Sequence, residues 1–518
     1  MNYITEWLNL YFDEIKSKDF YRMMFPEGFL DSEGRMTKGK YCGIIVSITQ
    51  QKRKDGKPLI KRYTVTDELN AVDEVVRTDD FCLISPLSYA GKQNTAKNAR
   101  ALYGIIIDLD HIPIQTDWNM GDERENRMHS IHAYPAKFPA FITTKAIQYA
   151  TNLQIPVNIV ADIFCGCGTV AYETVRNNKQ FWGCDINPVA TLIAEVKSQA
   201  YDNTLIEEYY SCIVKHFTCY QGEICDAISN NERILYWFSN KQIDDLVKLK
   251  HSIHFVVTEC KYRKFFLCAF SNILKSCSRW LTKSIKPQID PHKKEKDVIL
   301  AFHEQVLMMQ KANVQNLIKK ENLAIIETVN FLQRVIDKPF VDLVVTSPPY
   351  VTSYEYADLH QLSTLWLDFT NDYKTFREGT IGSLYHSQNF ENNIKELNGI
   401  GSNIVFKLYT LDKAKARAVA QYYIDMQKVV RKVFKMLNAG GACLFVIGNT
   451  EYKGVKIDNA RHLIESLLSN EFYDIDVNRR KISNKILTPY RDKYGKFTTN
   501  KNSRKIYSEE FIIFARKK

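Results

Sequence analysis

The amino-acid sequence predicts an α/β fold: a doubly wound, Rossmann-like parallel sheet with a basic helical insertion and a small α+β unit at the N-terminal end. Short apolar strands alternate with helices from about residue 155, first at 157–163 and 180–184. Such alternation is typical of a parallel sheet covered on both faces. The alternation stops for about 120 residues and resumes at 323–327 and 341–346. The interval between the two halves is therefore expected to be an insertion.

The N-terminal unit, residues 1–115, has a different pattern. It starts with an amphipathic segment, continues with a strand at 43–48 and ends in the β-branched run 104–107, which leads into Asp108 and Asp110. The polar stretch that follows, 116–127, predicts a linker.

The sheet region occupies residues 129–200 and 322–518, on either side of the insertion 201–321. In its second half, apolar residues at three- and four-residue spacing predict a long helix at 412–437. We expect Gly440 and Gly441 to end this helix and a buried strand to follow at 442–447.

Positive charge is concentrated in two segments. The formal net charge of the 518 residues is +11, and 45% of them are hydrophobic, which excludes global disorder. Residues 241–320 contain 16 Lys and Arg against 7 Asp and Glu, and residues 477–518 contain 13 against 3. If the protein has a polyanionic partner, these segments are expected to contact it.

The ends of the chain and the cysteines exclude several classes of protein. The N-terminus lacks the basic start and apolar core of a secretory signal, and no apolar run approaches the roughly 18 residues that span a bilayer. The 12 cysteines form no CxxC pair and no zinc-site spacing. We therefore expect a cytoplasmic protein with no membrane contact and no bound metal. The HSIH tetrapeptides at 129–132 and 251–254 are interpreted as exposed or hydrogen-bonded histidines.

A glycine-rich turn at 162–169, Asp-Ile-Phe-Cys-Gly-Cys-Gly-Thr, joins a strand to a helix. Gly166 and Gly168 let the backbone turn tightly and approach a ligand, with a helix N-terminus just beyond. Asp185 ends the next strand, 17 residues after Gly168, where a carboxylate accepts hydrogen bonds from ribose hydroxyls. Because the third glycine of a dinucleotide fingerprint is missing, a nucleoside without pyrophosphate fits better than a dinucleotide.

A second motif, Thr-Ser-Pro-Pro-Tyr at 346–350, follows the strand 341–345. Two prolines cannot extend a central strand, so the chain leaves the sheet at its carboxyl edge, where open α/β folds bind their ligands. Ser347 offers a hydroxyl, Pro348 a carbonyl group and Tyr350 an aromatic face. These groups suit the binding of an exocyclic amine on a flat ring.

Together the motifs resemble those of the S-adenosylmethionine-dependent DNA amino-methyltransferases, which methylate N4 of cytosine or N6 of adenine. The cofactor loop of that family, D-x-F-x-G-x-G-T, is matched by Asp162, Phe164, Gly166, Gly168 and Thr169. Its H-x-x-P-A-K-F-P segment matches residues 132–139, and its S/N/D-P-P-Y motif matches 347–350 in a form similar to the cytosine-N4 branch. The resemblance covers about residues 129–200 and 322–518. Glu327-Thr328-Val329 stands where the family commonly has a Gly-Asp-Ala-like turn.

The resemblance implies a cofactor, a partner and a role for each motif. S-adenosylmethionine is the expected cofactor, and double-stranded DNA is the expected substrate. A cognate restriction endonuclease is a further candidate partner. The residues expected to bind the cofactor are Lys137, Phe138, Pro139, Asp162, Phe164, Gly166, Gly168, Thr169 and Asp185. The residues expected to be catalytic are Ser347, Pro348, Pro349 and Tyr350.

The insertion lies between the cofactor loop and the catalytic motif, which is where one class of these enzymes carries its target-recognition domain. Residues 201–321 are therefore the candidate target-recognition region. The residues expected to contact DNA phosphates are Lys261, Arg263, Lys264, Arg279 and Lys283. For each of them, a solvated helical face is the competing interpretation.

The sequence is compatible with more than one activity. Cytosine N4 is favoured over adenine N6 because Ser347 occupies the first position of the catalytic motif. RNA amino-methylation is also compatible with the motifs, and so is a catalytically silent DNA-binding protein of a mobile element. Methylation of cytosine C5 is rejected, because that family presents a Pro-Cys nucleophile and none of the 12 cysteines follows a proline.

The N-terminal unit also resembles the start of primase-like proteins of mobile elements. In those proteins a D-x-D pair, here Asp108 and Asp110, can bind a divalent metal. The later motifs of such a polymerase are missing, so we expect either an inactive remnant, a DNA-docking module or a unit with a purely structural role.

Overall fold

The computed structural model describes several strands between residues 29 and 102, and most of the chain beyond residue 123. The continuous segments of that second part are 124–135, 137–222, 227–284, 286–318, 323–349, 356–382, 390–482 and 509–518, with a few single residues and short pieces from 109 onward. The chain divides into two compact units, Met1–Asp108 and Leu109–Lys518.

The first unit contains short antiparallel β-sheets. The strand predicted at 43–48 is confirmed and continues to Lys52; it is the middle strand of a three-stranded sheet. The strands are β1 (Phe29–Leu30), β2 (Met36–Thr37), β3 (Gly43–Lys52), β4 (Pro58–Val65), β5 (Phe81–Ile84), β6 (Leu87–Tyr89) and β7 (Ala99–Leu102). The β-branched run 104–107, Asp108 and Asp110 lie outside the described residues.

The second unit is organised around a seven-stranded sheet in the order β10-β9-β8-β11-β12-β18-β15. Its strands and two small hairpins are, in chain order, β8 (Ile159–Asp162), β9 (Gln180–Asp185), β10 (Ala324–Thr328), β11 (Val341–Thr346), β12 (Leu437–Ile447), β13 (Thr450–Tyr452), β14 (Val455–Ile457), β15 (Tyr473–Lys481), β16 (Tyr490–Arg491), β17 (Arg504–Lys505) and β18 (Glu509–Arg516). The first five strands in the sheet order, β10-β9-β8-β11-β12, are parallel to one another, and β18 runs antiparallel to both its neighbours. The predicted α/β fold with a mostly parallel, doubly wound sheet is confirmed.

Three helices pack beside the first strands: α1 (Ala140–Asn152), α2 (Thr169–Arg176) and α3 (Pro188–Lys197). The start of α3 follows directly from the sequence. The side chain of Asn187 accepts a hydrogen bond from the Val189 amide, and Pro188 occupies the first turn, where its missing N–H is not needed. This cap places the end of β9, and with it Asp185, immediately before a helix.

The insertion is helical, as predicted. Its helices are α4 (Asn203–Cys219), α5 (Glu232–Trp237), α6 (Asn240–Val256), α7 (Cys260–Ile273) and α8 (Val298–Val314). They share a hydrophobic core with the sheet, and Trp237 stacks on Trp280 with ring centroids 4.9 Å apart. The inner faces of the helices are therefore part of the same compact unit as the sheet.

The remaining helices follow β11 in the chain: α9 (Tyr356–Leu359), α10 (Gln361–Trp366), α11 (Phe390–Glu396), α12 (Gly399–Tyr409), α13 (Lys413–Met436) and α14 (Asn459–Leu468). The long helix predicted at 412–437 is confirmed as α13, capped by the side chain of Asp412. The prediction that Gly440 and Gly441 end this helix is wrong, however. The helix ends at Met436, and Gly440 and Gly441 lie inside β12, where the pairing with β11 shifts register.

Gly440 has a φ of +74°, a conformation that glycine adopts without strain. The glycine pair therefore permits a bulge in a strand that begins five residues earlier than expected. In the part of the chain that the structure describes, none of the helices has the length and apolar character needed to cross a bilayer.

Candidate active site at the carboxyl ends of the central strands

The two chemical motifs meet at one edge of the sheet. β8 and β11 are neighbouring parallel strands, so the turn after Asp162 and the motif that starts at Thr346 leave the sheet side by side. The contact is direct: the Thr346 hydroxyl donates a hydrogen bond of 2.6 Å to Asp162 Oδ1. Residues 184 positions apart in the chain thus form one site, at the edge where open α/β sheets bind ligands.

Gly166 and Gly168 have different structural reasons for being glycine. Both have positive φ, +49° and +72°. A Cβ on Gly168 would lie 2.5 Å from Cα and Cβ of Ala194 in α3, whereas a Cβ on Gly166 would lie 3.6 Å from the Tyr134 ring, an ordinary contact. Gly168 therefore lets the turn pack against α3, and Gly166 is required by its backbone conformation alone.

Asp185 holds the glycine turn in place. Its Oδ2 accepts a hydrogen bond from the Gly166 amide at 2.8 Å, and its Oδ1 accepts one from the Asn187 amide at 2.9 Å. Desolvation raises the pKa of Asp185, and these two backbone hydrogen bonds oppose the rise. The carboxyl group is partly exposed, and each oxygen keeps a second lone pair for a ligand.

Asp162 connects the glycine turn to the Thr-Ser-Pro-Pro-Tyr motif. Its Oδ1 accepts hydrogen bonds from the Phe164 amide, at 3.0 Å, and from the Thr346 hydroxyl. Its side chain is buried, and burial raises its pKa from 3.8 to about 7; the negative charge of Asp185 adds to the rise and the hydrogen bonds oppose it. The sequence alone predicts no role for Thr346.

The Ser347 hydroxyl donates to the carbonyl oxygen of Val446 in β12, at 3.0 Å. Because its only proton is used there, Ser347 Oγ can act toward a ligand only as an acceptor. Pro348 is buried and Pro349 partly buried. The Pro348 carbonyl precedes Pro349, which has no N–H. Tyr350, which is also predicted to be catalytic, lies outside the described residues.

The segment before α1 packs close to the glycine turn, through Tyr134. The Tyr134 ring lies against Gly166 and stacks on His360, with centroids 4.9 Å apart and an interplanar angle of 25°. Lys137, predicted to bind the cofactor, forms an ion pair of 2.6 Å with Glu125. Phe138 packs against the hydrophobic core, and Pro139 is the residue before the first turn of α1. Thr169 is buried as the first residue of α2, and Phe164 is partly buried.

His129 and His132, from the first HSIH tetrapeptide, are hydrogen-bonded. Buried His129 Nε2 lies 2.7 Å from Glu173 Oε1, and burial lowers the pKa of His129 to about 2, so the ring is neutral. His132 Nε2 lies 3.0 Å from the hydroxyl of Ser271 in α7. These contacts tie the segment that carries Tyr134 both to α2 and to the insertion.

Glu327 and Thr328, which stand where the family commonly has a Gly-Asp-Ala-like turn, form hydrogen bonds within the protein. Glu327 accepts a hydrogen bond of 3.2 Å from the indole N–H of Trp182 and one of 2.8 Å from Arg334. The Thr328 hydroxyl lies 2.7 Å from the Thr191 hydroxyl in α3. The Glu327 carboxylate therefore stabilises the β9–β10 edge of the sheet.

The chain is similar in sequence to known DNA methyltransferases. A family model described as DNA methylase, of the N6 and N4 methyltransferases, matches residues 44–196. The type II methyltransferase M.MvaI of Kocuria varians is 25% identical over 385 residues, which are 69% of this chain and 84% of that protein. The predicted resemblance to the DNA amino-methyltransferases is confirmed.

Two further proteins are similar over different lengths. The type II methyltransferase M.MjaII of Methanocaldococcus jannaschii is 31% identical over 100 residues, 18% of each chain. The crystal structure of precorrin-6y C5,15-methyltransferase from Geobacter metallireducens aligns with a TM-score of 0.25 and 9% identity, over 75% of this chain and 92% of that one.

The family resemblance implies S-adenosylmethionine as the methyl donor, and the residues present fit it. The glycine turn leaves the carboxyl edge of the sheet beside Asp185, a partly exposed residue whose carboxylate is held in one orientation by two backbone amides. When bound, the donor supplies an electrophilic methyl group on a sulfonium.

The five basic residues predicted to contact DNA are mostly engaged within the protein. Arg263 donates to the carbonyl groups of Val257 and Thr258, at 2.9 Å each, and so closes the C-terminal end of α6. Lys264 forms an ion pair with Glu195, and Arg279 lies 3.9 Å from Glu295. The Lys261 ammonium lies over the Tyr201 ring, 5.3 Å from its centroid, and Lys283 is exposed. DNA contact by these five residues stays a prediction.

The basic C-terminal segment contains ion pairs between neighbouring strands. Arg479 pairs with Glu509 at 2.6 Å, and Arg480 pairs with Glu510 at 2.7 Å, in both cases from β15 to β18. Arg480 and Glu510 are buried, so this pair stabilises the last strands of the sheet and offers no charge at the surface.

Proposed function

We propose that the protein is a site-specific DNA methyltransferase that transfers a methyl group from S-adenosylmethionine to N4 of cytosine. The observation that carries the proposal is the hydrogen bond from Ser347 Oγ to the Val446 carbonyl. It leaves Ser347 as an obligatory acceptor beside the glycine turn, which is what an amine donor requires.

The chemistry is difficult because the lone pair of an exocyclic amine is delocalised into the base. Ser347 Oγ and the Pro348 carbonyl oxygen accept the two hydrogens of the amine and favour a more tetrahedral nitrogen. The lone pair then points toward the methyl group. Transfer would be direct, with no covalent intermediate on the protein: the amine nitrogen would bond to the methyl carbon as the carbon–sulfur bond of the sulfonium breaks. The neutral thioether would leave, and the methylated amine would lose one proton to water. Catalysis therefore consists of positioning and electrostatic stabilisation.

The hydrogen bond between Thr346 and Asp162 sets the relative position of the two halves of the site. Asp162 belongs to the turn that holds the methyl donor, and Thr346 immediately precedes the residue that holds the methyl acceptor. A short hydrogen bond between buried groups limits their relative movement, which matters because a misplacement of about 1 Å can reduce a rate 100-fold.

The substrate base reaches the site only after it has left the duplex, because the N4 group of a paired cytosine is not accessible to a pocket at the edge of a sheet. Tyr350 then stacks on the flipped base. We assign phosphate contacts to Lys261, Arg263, Lys264, Arg279 and Lys283, among which exposed Lys283 is the most available. We also propose a cognate restriction endonuclease as a functional partner, since the similar protein of Kocuria varians is named a type II methyltransferase.

The proposal is tested with duplex DNA and S-adenosylmethionine that carries a labelled methyl group, followed by digestion to nucleosides and chromatography. We expect label in N4-methyldeoxycytidine for the wild type and a loss of at least about 100-fold for Ser347→Ala, with cofactor affinity unchanged. Ser402→Ala, a change in α12 outside both motifs, is the control. Label in N6-methyldeoxyadenosine would reassign the base, and full activity of Ser347→Ala would refute the role of the serine.

A further inference from the structure

Helix α8 of the insertion has an exposed stripe that the methyl-transfer site does not use. The stripe consists of Leu300, Glu304, Leu307, Lys311 and Val314, spaced alternately by four and three residues, so that all five lie on one face of the helix. Leu300 is 55% exposed and Val314 is 72% exposed. The opposite face, with Phe302, is buried in the core. The stripe therefore projects from a helix that is fixed in position.

The order of residues in this stripe is self-complementary. Leu300 lies seven residues before Leu307, and Val314 lies seven residues after it. The two charged residues also flank Leu307: Glu304 lies three residues before it and Lys311 lies four residues after it. If two copies of α8 meet antiparallel with Leu307 at the two-fold axis, Leu300 faces Val314 and Glu304 faces Lys311, each twice. An isologous interface requires this symmetry of a surface patch.

We propose that α8 is the centre of a homodimer interface, with a second copy of this chain as its partner. The contact extends from α8 onto α4, because a groove of about 280 Å³ lies between the two helices, lined by Asn203, Thr204, Glu207, Leu307, Lys311 and Val314. An apolar side chain of the second copy enters this groove. The extension is needed, since a stable dimer buries on the order of 1,200 Å² or more, which exceeds one helix stripe.

The charges at this surface favour a protein partner over nucleic acid. Glu207 lines the groove and Glu304 lies in the stripe; both are exposed and would repel phosphate groups. Glu304 forms an ion pair of 3.0 Å with Lys296, but both side chains are more than half exposed. Such a pair contributes little stability, so Glu304 can exchange Lys296 for Lys311 of the second copy.

The test measures the mass of the full-length protein by sedimentation velocity over a concentration series. We expect a species of twice 60.2 kDa. Leu307→Lys should raise the dimer dissociation constant at least tenfold, while the matched control Leu235→Lys, at an exposed leucine of α5, should leave it unchanged. Circular dichroism verifies that both variants are folded. A protein that stays monomeric up to about 100 μM, or a dimer that ignores Leu307→Lys, would overturn the proposal.

A charge exchange tests the antiparallel arrangement and leaves the apolar residues unchanged. Glu304→Lys and Lys311→Glu should each raise the dissociation constant about threefold or more, because each places like charges opposite one another. An equimolar mixture of the two variants should restore association, since each copy then faces opposite charges on the other. Failure of the mixture to associate better than either variant alone would overturn the arrangement.

Discussion

The hydroxyl of Thr346 donates a 2.6 Å hydrogen bond to buried Asp162 and so joins the strand end before the Ser-Pro-Pro motif to the strand end before the glycine turn. Asp162 and Thr346 are both buried. The bond therefore connects the two functional halves of the site below the surface, where water competes little for it.

Replacement of Thr346 by valine keeps the volume but removes the donor. Asp162 Oδ1 then keeps only the Phe164 amide, and the free energy of unfolding should fall by about 1–3 kcal/mol because a buried acceptor loses a partner. Activity should fall more than the affinity for S-adenosylmethionine. Denaturant titration and calorimetry measure the two effects. Thr218→Val, whose hydroxyl bonds only within α4, is the control, and equal behaviour of both variants would contradict the role of Thr346.

Asp185→Asn tests how the glycine turn is held. The carboxylate accepts the Gly166 and Asn187 amides on different oxygens, and an asparagine side chain has a single acceptor oxygen, so one of these hydrogen bonds is lost. Affinity for S-adenosylmethionine, measured by calorimetry, should weaken at least tenfold, and Asp185→Ala should weaken it further. Asp337→Asn, at an exposed carboxylate, is the matched control. Unchanged affinity of Asp185→Ala would count against the ribose contact.

The stability of the protein should depend on pH through Asp162. Its pKa is raised from 3.8 to about 7, so between these values the unfolded chain has released a proton that the folded chain keeps. The contribution of Asp162 to the free energy of unfolding therefore falls as pH rises from about 4 to 7. Asp162→Asn removes the charge while its side-chain oxygen still accepts both hydrogen bonds. The free energy of unfolding of the variant, relative to that of the wild type, should therefore increase between pH 5 and pH 8. An equal difference between variant and wild type at the two pH values would refute the raised pKa.

The two glycines of the turn should respond differently to alanine. Gly168→Ala combines a φ of +72° with a Cβ only 2.5 Å from Ala194, whereas Gly166→Ala has the strained φ but room for the methyl group. Overpacking typically costs about 1–3 kcal/mol, so the thermal midpoint of Gly168→Ala should lie clearly below that of Gly166→Ala. The reverse order would show that the turn does not pack against α3 as described.

The sequence was sufficient to predict the sheet and the convergence of its motifs. Asp162, Asp185 and Ser347 each follow a short apolar run, and parallel strands bring such ends to one edge. The glycine pair after α13 was predicted to end that helix, because such a pair indicates a helix end as readily as a strand bulge.

The sequence does not show which residues that lie far apart in the chain form ion pairs or hydrogen bonds with one another. A count of charges cannot show that Arg480 is buried against Glu510, or that Arg263 closes the end of α6. The hydrogen bond from Thr346 to Asp162 was missed for the same reason, since its partners lie 184 residues apart.

The proposed activity can be tested in one experiment, by expressing the protein in a host that does not methylate its DNA and sequencing the modified bases of the whole genome. We expect N4-methylcytosine within one recurring sequence for the wild type and an unmodified genome for Ser347→Ala. N6-methyladenine in place of N4-methylcytosine, or a genome methylated equally by the Ser347→Ala variant, would contradict the proposed function.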